Sequence, residues 1–66
     1  MRIRLNGEDR DFEGPLDVRG LLFRLGLEPT KIAVERNLEI VPRSLYAATA
    51  LADGDRLEIV QFIGGG

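Results

Sequence analysis

One short amphipathic helix constrains this chain more than any other feature. Val18, Leu21, Leu22 and Leu25 fall at i, i+3, i+4 and i+7 and make a single apolar stripe, with Arg19 and Arg24 off it. Gly14-Pro15 breaks the preceding structure, and Asp17 stands where a helix N-cap belongs. Gly26 is a C-terminal stop, and Pro29 prevents the helix from resuming. Gly20, inside the helix, costs up to ~1 kcal/mol relative to Ala; close packing of the helix on a sheet would explain it. No other stretch carries a stripe of this length, so the remaining chain must supply the surface that this helix covers.

That surface reads as strands. Residues 1–6 alternate, with Met1, Ile3 and Leu5 on one face and Arg2, Arg4 and Asn6 on the other. Asn6-Gly7 is a strong hairpin signal, because both central residues of a type I′ turn need positive φ. Residues 8–13 are mostly charged, with Phe12 as the inward candidate, and read as a returning edge strand. Residues 31–36 form a third strand with Ile32 and Val34 inward. Arg36-Asn37 is the expected turn, residues 38–41 a short fourth strand, and Pro42 its end. Ser44 is placed to cap one helical turn through Leu45, Tyr46 and Ala47. Residues 49–52 read as loop, Asp53-Gly54-Asp55 as a turn, and residues 56–62 as the last strand. One helix with this much strand predicts an α+β fold, the helix lying across one face of a mixed sheet of four or five strands. With the last strand central and beside the first, this is the β-grasp, or ubiquitin-like, architecture. The scaffold serves modifiers, carriers and binding modules alike.

The missing residue types narrow the chemistry. The 66 residues contain no cysteine, histidine or tryptophan. Disulfides, thiolate nucleophiles and thiolate metal sites are therefore excluded, and the usual acid–base group near neutral pH is missing. Chemistry is left to carboxylates, Lys31, Tyr46, the hydroxyls of Thr30, Ser44 and Thr49, or the end of the chain. This is a poor inventory for a self-contained enzyme, and no metal site is expected. A net charge of −2 disfavours nucleic-acid binding. No apolar run approaches the ~20 residues of a membrane span. The first residues read as a strand and not a signal peptide, so a cytoplasmic protein, monomeric when free, is expected.

The end of the sequence stands out. Ile63-Gly64-Gly65-Gly66 follows the last strand directly. Glycine adds nothing to a core, so the expected organisation is a folded domain over 1–62 and a flexible tail over 63–66. Three extended residues reach roughly 10 Å, enough to lead the Gly66 carboxylate into a narrow partner site. A frayed end of no function is the plainer alternative. Parity in the last strand bears on the choice. Leu57 and Ile59 point inward, which turns Val60 and Phe62 to the outer face beside the tail. Val60, Phe62 and Ile63 are therefore the candidate docking residues, against the alternative that isolated exposed apolar residues are ordinary. Arg2 and Arg4 share that face and are candidates for steering an acidic partner, or are simply solvated.

A resemblance covers essentially the whole chain. Asn37-Leu38-Glu39-Ile40-Val41-Pro42-Arg43, then Leu45-Tyr46, then residues 51–60 with Asp53-Gly54-Asp55, and the terminal Gly-Gly resemble the ThiS family of sulfur carriers in thiamine (thiazole) biosynthesis. Gly-Gly alone is common to ubiquitin-like carriers. The Val-Pro-Arg segment, the aromatic residue three positions on and Asp-Gly-Asp are more specific. Tyr46 stands where many members have Trp, and Gly64 extends the tail to three glycines. The resemblance implies that a ThiF-like enzyme adenylates Gly66 with ATP. Sulfur from a cysteine desulfurase, passed through a persulfide, then makes a thiocarboxylate, which donates sulfur to thiazole synthase (ThiG). It implies no cofactor on the chain itself, the ATP being used by the partner. Gly64, Gly65 and Gly66 would thread the active-site channel. A MoaD-like carrier for molybdopterin synthesis, a protein modifier and a TGS-type interaction module are the rival readings.

Overall fold

The computed structural model describes residues 1–62; the tail expected over 63–66 lies outside the described residues. The strands are β1 (Arg2–Leu5), β2 (Glu8–Asp11), β3 (Ile32–Arg36), β4 (Glu39–Val41) and β5 (Arg56–Gln61), and the helix is α1 (Val18–Leu25). Two 3₁₀ segments, Pro29–Lys31 and Arg43–Ala48, flank β3 and β4. The sheet runs β2-β1-β5-β3-β4. β5 is parallel to β1 and antiparallel to β3, so the last strand is central and pairs on both sides.

Alternation decides which face of the sheet is covered. Ile3 and Leu5 of β1, Ile32 and Val34 of β3, and Leu57 and Ile59 of β5 join Val18, Leu21 and Leu22 of α1 in one buried cluster. Leu16, Val41, Tyr46 and Leu51 complete it. Each such side chain contributes about 1.5–3 kcal/mol on burial, so the stripe of α1 against these strands is the main source of stability. Phe12 lies just past β2 and packs half-buried on the cluster, with the Arg10 guanidinium 5.5 Å from its ring centre.

The helix ends follow the sequence. Asp17 Oδ1 accepts from the Gly20 N–H at 2.7 Å, satisfying one of the donors that a helix start leaves open. Gly26 closes the helix at φ 71°, its N–H donating to the Phe23 carbonyl while the Leu27 N–H donates to that of Leu22, a Schellman pair. Asn6 and Gly7 take φ of 49° and 83°, as the β1–β2 turn requires.

Several local expectations are corrected. Gly20 does not face the sheet: a Cβ there would lie 3.0 Å from Leu16 Cδ1 and 3.3 Å from Asp17 Oδ1, so it is the cap that needs the space. The β3–β4 reversal is Asn37-Leu38, not Arg36-Asn37, and Leu38 is outside β4; both turn residues have positive φ, 52° and 72°. Ser44 makes no cap. Pro42 holds the N-cap position of the 3₁₀ segment, and its carbonyl accepts from the Leu45 N–H. Residues 49–52 are more ordered than a loop, because the Val18 N–H donates to Thr49 and the Leu51 N–H to Leu16, bridging Asp17 and Ala50. Among the described residues no helix is long and apolar enough to cross a membrane.

Candidate docking face and the strand that leads to the tail

The face of the sheet away from α1 carries the candidate site. Val60 is 61 % exposed and Phe62 58 %, both on the outer side as the parity of β5 predicts. Val60 lies opposite Ala33 on β3, and the Phe62 N–H donates to the Lys31 carbonyl at 2.9 Å, holding the chain beside β3 to its last described residue. One strand further out, Ile40 of β4 also faces outward at 74 % exposure. Ala33, Val60 and Phe62 thus make the outer face apolar toward the end of β5, and Ile40 adds an exposed apolar side chain on β4 level with Glu35. Neither Ile40 nor Ala33 was singled out from sequence. The signal was the in–out alternation of Ile40 and Val41, which acquires meaning only once β4 is seated against β3.

Arg2 and Arg4 are on the same face but not in the same place. Arg4 lies beside Arg56, at the start of β5 and away from Val60 and Phe62. Both turn toward β2, with Arg2 Nε 3.1 Å from Asp11 and Arg4 Nη1 3.2 Å from Asp9. Hydrogen bonding to Arg2, with its charge, holds the Asp11 carboxyl below the usual range, and Arg2 is raised for the same reason. Between these arginines and the apolar side, Glu35 and Glu58 face each other across β3 and β5. Two carboxylates thus border Ala33 and Val60 on one side, while Lys31 lies opposite Phe62 on the other. Ile63, Gly64, Gly65 and Gly66, the remaining site candidates, lie outside the described residues.

A polar clamp shapes this face from beneath. Asp55, 6 % exposed, accepts from the Ala52 N–H at 2.8 Å, Arg36 Nε at 2.9 Å and Asn37 Nδ2 at 3.1 Å. Asn37 Oδ1 in turn accepts from the Arg56 N–H at 2.9 Å. Burial by itself would raise the Asp55 carboxyl, but these hydrogen bonds and the Arg36 charge outweigh it and hold the group below its ordinary value. The clamp ties the β3–β4 turn to the start of β5; in that turn Leu38 takes a left-handed conformation, which costs a residue with a Cβ roughly 1–2 kcal/mol. Among the described residues, no group of three or more acidic, histidine or cysteine side chains could hold a metal ion.

This geometry defines a class: a small β-grasp domain whose central last strand delivers the chain past an apolar outer face, the build of ubiquitin-like carriers. The ThiS family model matches residues 3–66. A thiazole synthase from Paramagnetospirillum magneticum is 58 % identical over all 66 residues, which make up 20 % of its length. The sulfur carrier protein ThiS of Bacillus subtilis is 38 % identical over 97 % of this chain and 98 % of its own. A ThiS thiamine biosynthesis protein from Geobacter metallireducens, solved by crystallography, superposes with a TM-score of 0.86 at 35 % identity, covering both chains completely. The chain belongs to the ThiS family. It spans about a fifth of the length of the thiazole synthases it matches.

Proposed function

We propose that this chain carries sulfur as a thiocarboxylate on Gly66 for thiazole formation in thiamine biosynthesis. The observation behind the proposal is the placement of Val60 and Phe62, exposed on the outer face at the point where β5 leads into Ile63 and the glycines. Residues 1–62 act as a handle that docks through the apolar side formed by Ala33, Ile40, Val60 and Phe62. Residues 63–66 act as the leash, and glycine at 64, 65 and 66 lets bare backbone enter a channel that a Cβ would obstruct.

A carboxylate is a poor acyl donor until its oxygen becomes part of a good leaving group. In a ThiF-like enzyme a Gly66 carboxylate oxygen attacks the α-phosphorus of ATP, and pyrophosphate departs with the electrons of the broken P–O bond. A sulfur nucleophile supplied through a cysteine desulfurase then adds to the acyl carbon, and AMP leaves with the C–O electrons. Where that nucleophile is a persulfide, the product is an acyl disulfide; a second thiol attacks the donor's sulfur, the S–S electrons leave on the acyl sulfur as the thiocarboxylate, and the donor is left in a disulfide with that thiol. The freed sulfur is nucleophilic toward the substrate of a ThiG-like thiazole synthase. The chain supplies no catalytic group to these steps. The match of its full length to a segment of proteins named thiazole synthase supports the pairing with that acceptor.

The test is the intact mass of a chain ending at Gly66 after incubation with a ThiF-like enzyme, ATP and a cysteine desulfurase with cysteine. The expected product is heavier by one oxygen-to-sulfur exchange, localised to Gly66. Unchanged mass, with the same enzyme active on an authentic carrier, would overturn the proposal.

A further inference from the structure

The proposed tail chemistry assigns no role to the Val41-Pro42-Arg43 and Tyr46 motif. Val41 turns into the core, while Arg43 opens the 3₁₀ segment Arg43–Ala48 against α1. There Arg19, Pro29, Arg43, Ser44, Tyr46 and Ala47 line a groove of about 250 Å³. Arg19 and Arg43 come from different elements, both are exposed, and neither has an ion pair among the described residues. No carboxylate lines the groove. The nearest in sequence are engaged elsewhere, Asp17 with the Gly20 N–H and Glu28 with Lys31.

Tyr46 supplies the second observation. It is only 5 % exposed, yet no hydrogen bond to its hydroxyl occurs among the described residues, and no buried side-chain polar atom there lacks a partner. The small exposed part of Tyr46 therefore includes its hydroxyl, a donor left open on a ring that lines the groove. Two guanidiniums without ion pairs and a tyrosine with an unpartnered hydroxyl thus line one groove, together with Pro29 and Ala47.

We propose that the groove between α1 and the 3₁₀ segment docks an acidic segment of a protein partner. A partner carboxylate sits between Arg19 and Arg43 and accepts from the Tyr46 hydroxyl, while its aliphatic stem lies over Pro29 and Ala47. Charge complementarity carries this assignment, since guanidiniums match carboxylates in a bidentate way. A free small anion fits less well, because such ligands are bound where most of their surface is enclosed and this groove is open to solvent. The surface is on the helix side of the sheet, so it leaves the outer face free. It goes beyond the sulfur-carrier reading and does not depend on it.

The experiment is an amide-resolved NMR titration of the isotope-labelled chain at low ionic strength with acetyl-tetraglutamate amide, with tetraglutamine amide and inorganic phosphate in parallel. Tetraglutamate is expected to shift Arg19, Ser44 and Tyr46 saturably, leaving Ile40 and Val60 in place. The double variant Arg19→Gln/Arg43→Gln should weaken binding about tenfold, and Tyr46→Phe, which keeps the buried ring, about threefold, both with otherwise unchanged spectra. Four results overturn the proposal: no shifts, equal shifts around Arg24 and Arg56, equal response to tetraglutamine, or phosphate binding as tightly as the peptide. The last would reassign the groove to small anions.

Discussion

Asp55→Ala is the substitution that most directly tests how the β3–β4 turn is held to β5. It removes the acceptor for the Ala52 N–H, Arg36 Nε and Asn37 Nδ2 at once. A hydrogen bond to a charged group is worth roughly 1.5–3 kcal/mol. The three do not add, because the Arg36 side chain is already 32 % exposed and regains water when its partner goes. The net cost is then about 2–4 kcal/mol, below the sum and near the lower part of the range for breaking a buried ion pair. A domain of this size has a total stability of about 3–10 kcal/mol. Each kcal/mol shifts the midpoint by roughly 4–8 °C, so melting should fall by about 8–32 °C. The sign with pH follows from the lowered carboxyl. Stability from Asp55 is fully present above the unfolded value near 4 and is lost as pH falls through the lower folded value. The gap between parent and variant, followed by circular dichroism in urea and heat, should therefore narrow progressively as pH falls below about 4. A gap under about 1 kcal/mol at neutral pH, or one unchanged in acid, would refute the account.

Other substitutions probe separate parts of the molecule. Asp17→Ala should cost about 1 kcal/mol by removing the cap on Gly20, read from urea midpoints at constant slope. Gly26→Ala should cost about as much through its φ of 71° alone, since open space surrounds the added Cβ; an unchanged midpoint would contradict this. Ile40→Asp should leave stability within about 0.5 kcal/mol, being exposed, yet lower kcat/KM for adenylation about tenfold if the outer face docks the activating enzyme. Gly65→Val should abolish ATP–pyrophosphate exchange while the folded spectrum is unchanged; normal exchange would show that the channel tolerates a side chain.

What could be read from sequence was local or periodic. The stripe Val18, Leu21, Leu22 and Leu25 located α1, and its caps Asp17 and Gly26 are where their chemistry places them. The parity of β5 put Leu57 and Ile59 in the core and Val60 and Phe62 outside. What escaped depends on contacts between distant segments. Asn37 takes both ends of its amide from residues 55 and 56, which shifts the turn one residue and pushes Leu38 out of β4. Asp55 looked like a turn residue, and nothing near it in the chain announces Arg36 as its partner. Ile40 was placed on the exposed outer face only through β4 pairing with β3. Arg2 and Arg4 are on the expected face, and their pairing with Asp11 and Asp9 became visible only once β2 was seated beside β1.

The central position of β5 has a mechanical consequence. A load on the far end of the chain runs straight along this strand, which is bonded to β1 on one side and to β3 on the other. Such a pull stresses both ladders in shear, so their bonds must yield together instead of peeling apart in turn. A pull along β5 therefore meets two ladders at once, whereas the same force on β2 at the sheet edge would meet one ladder only.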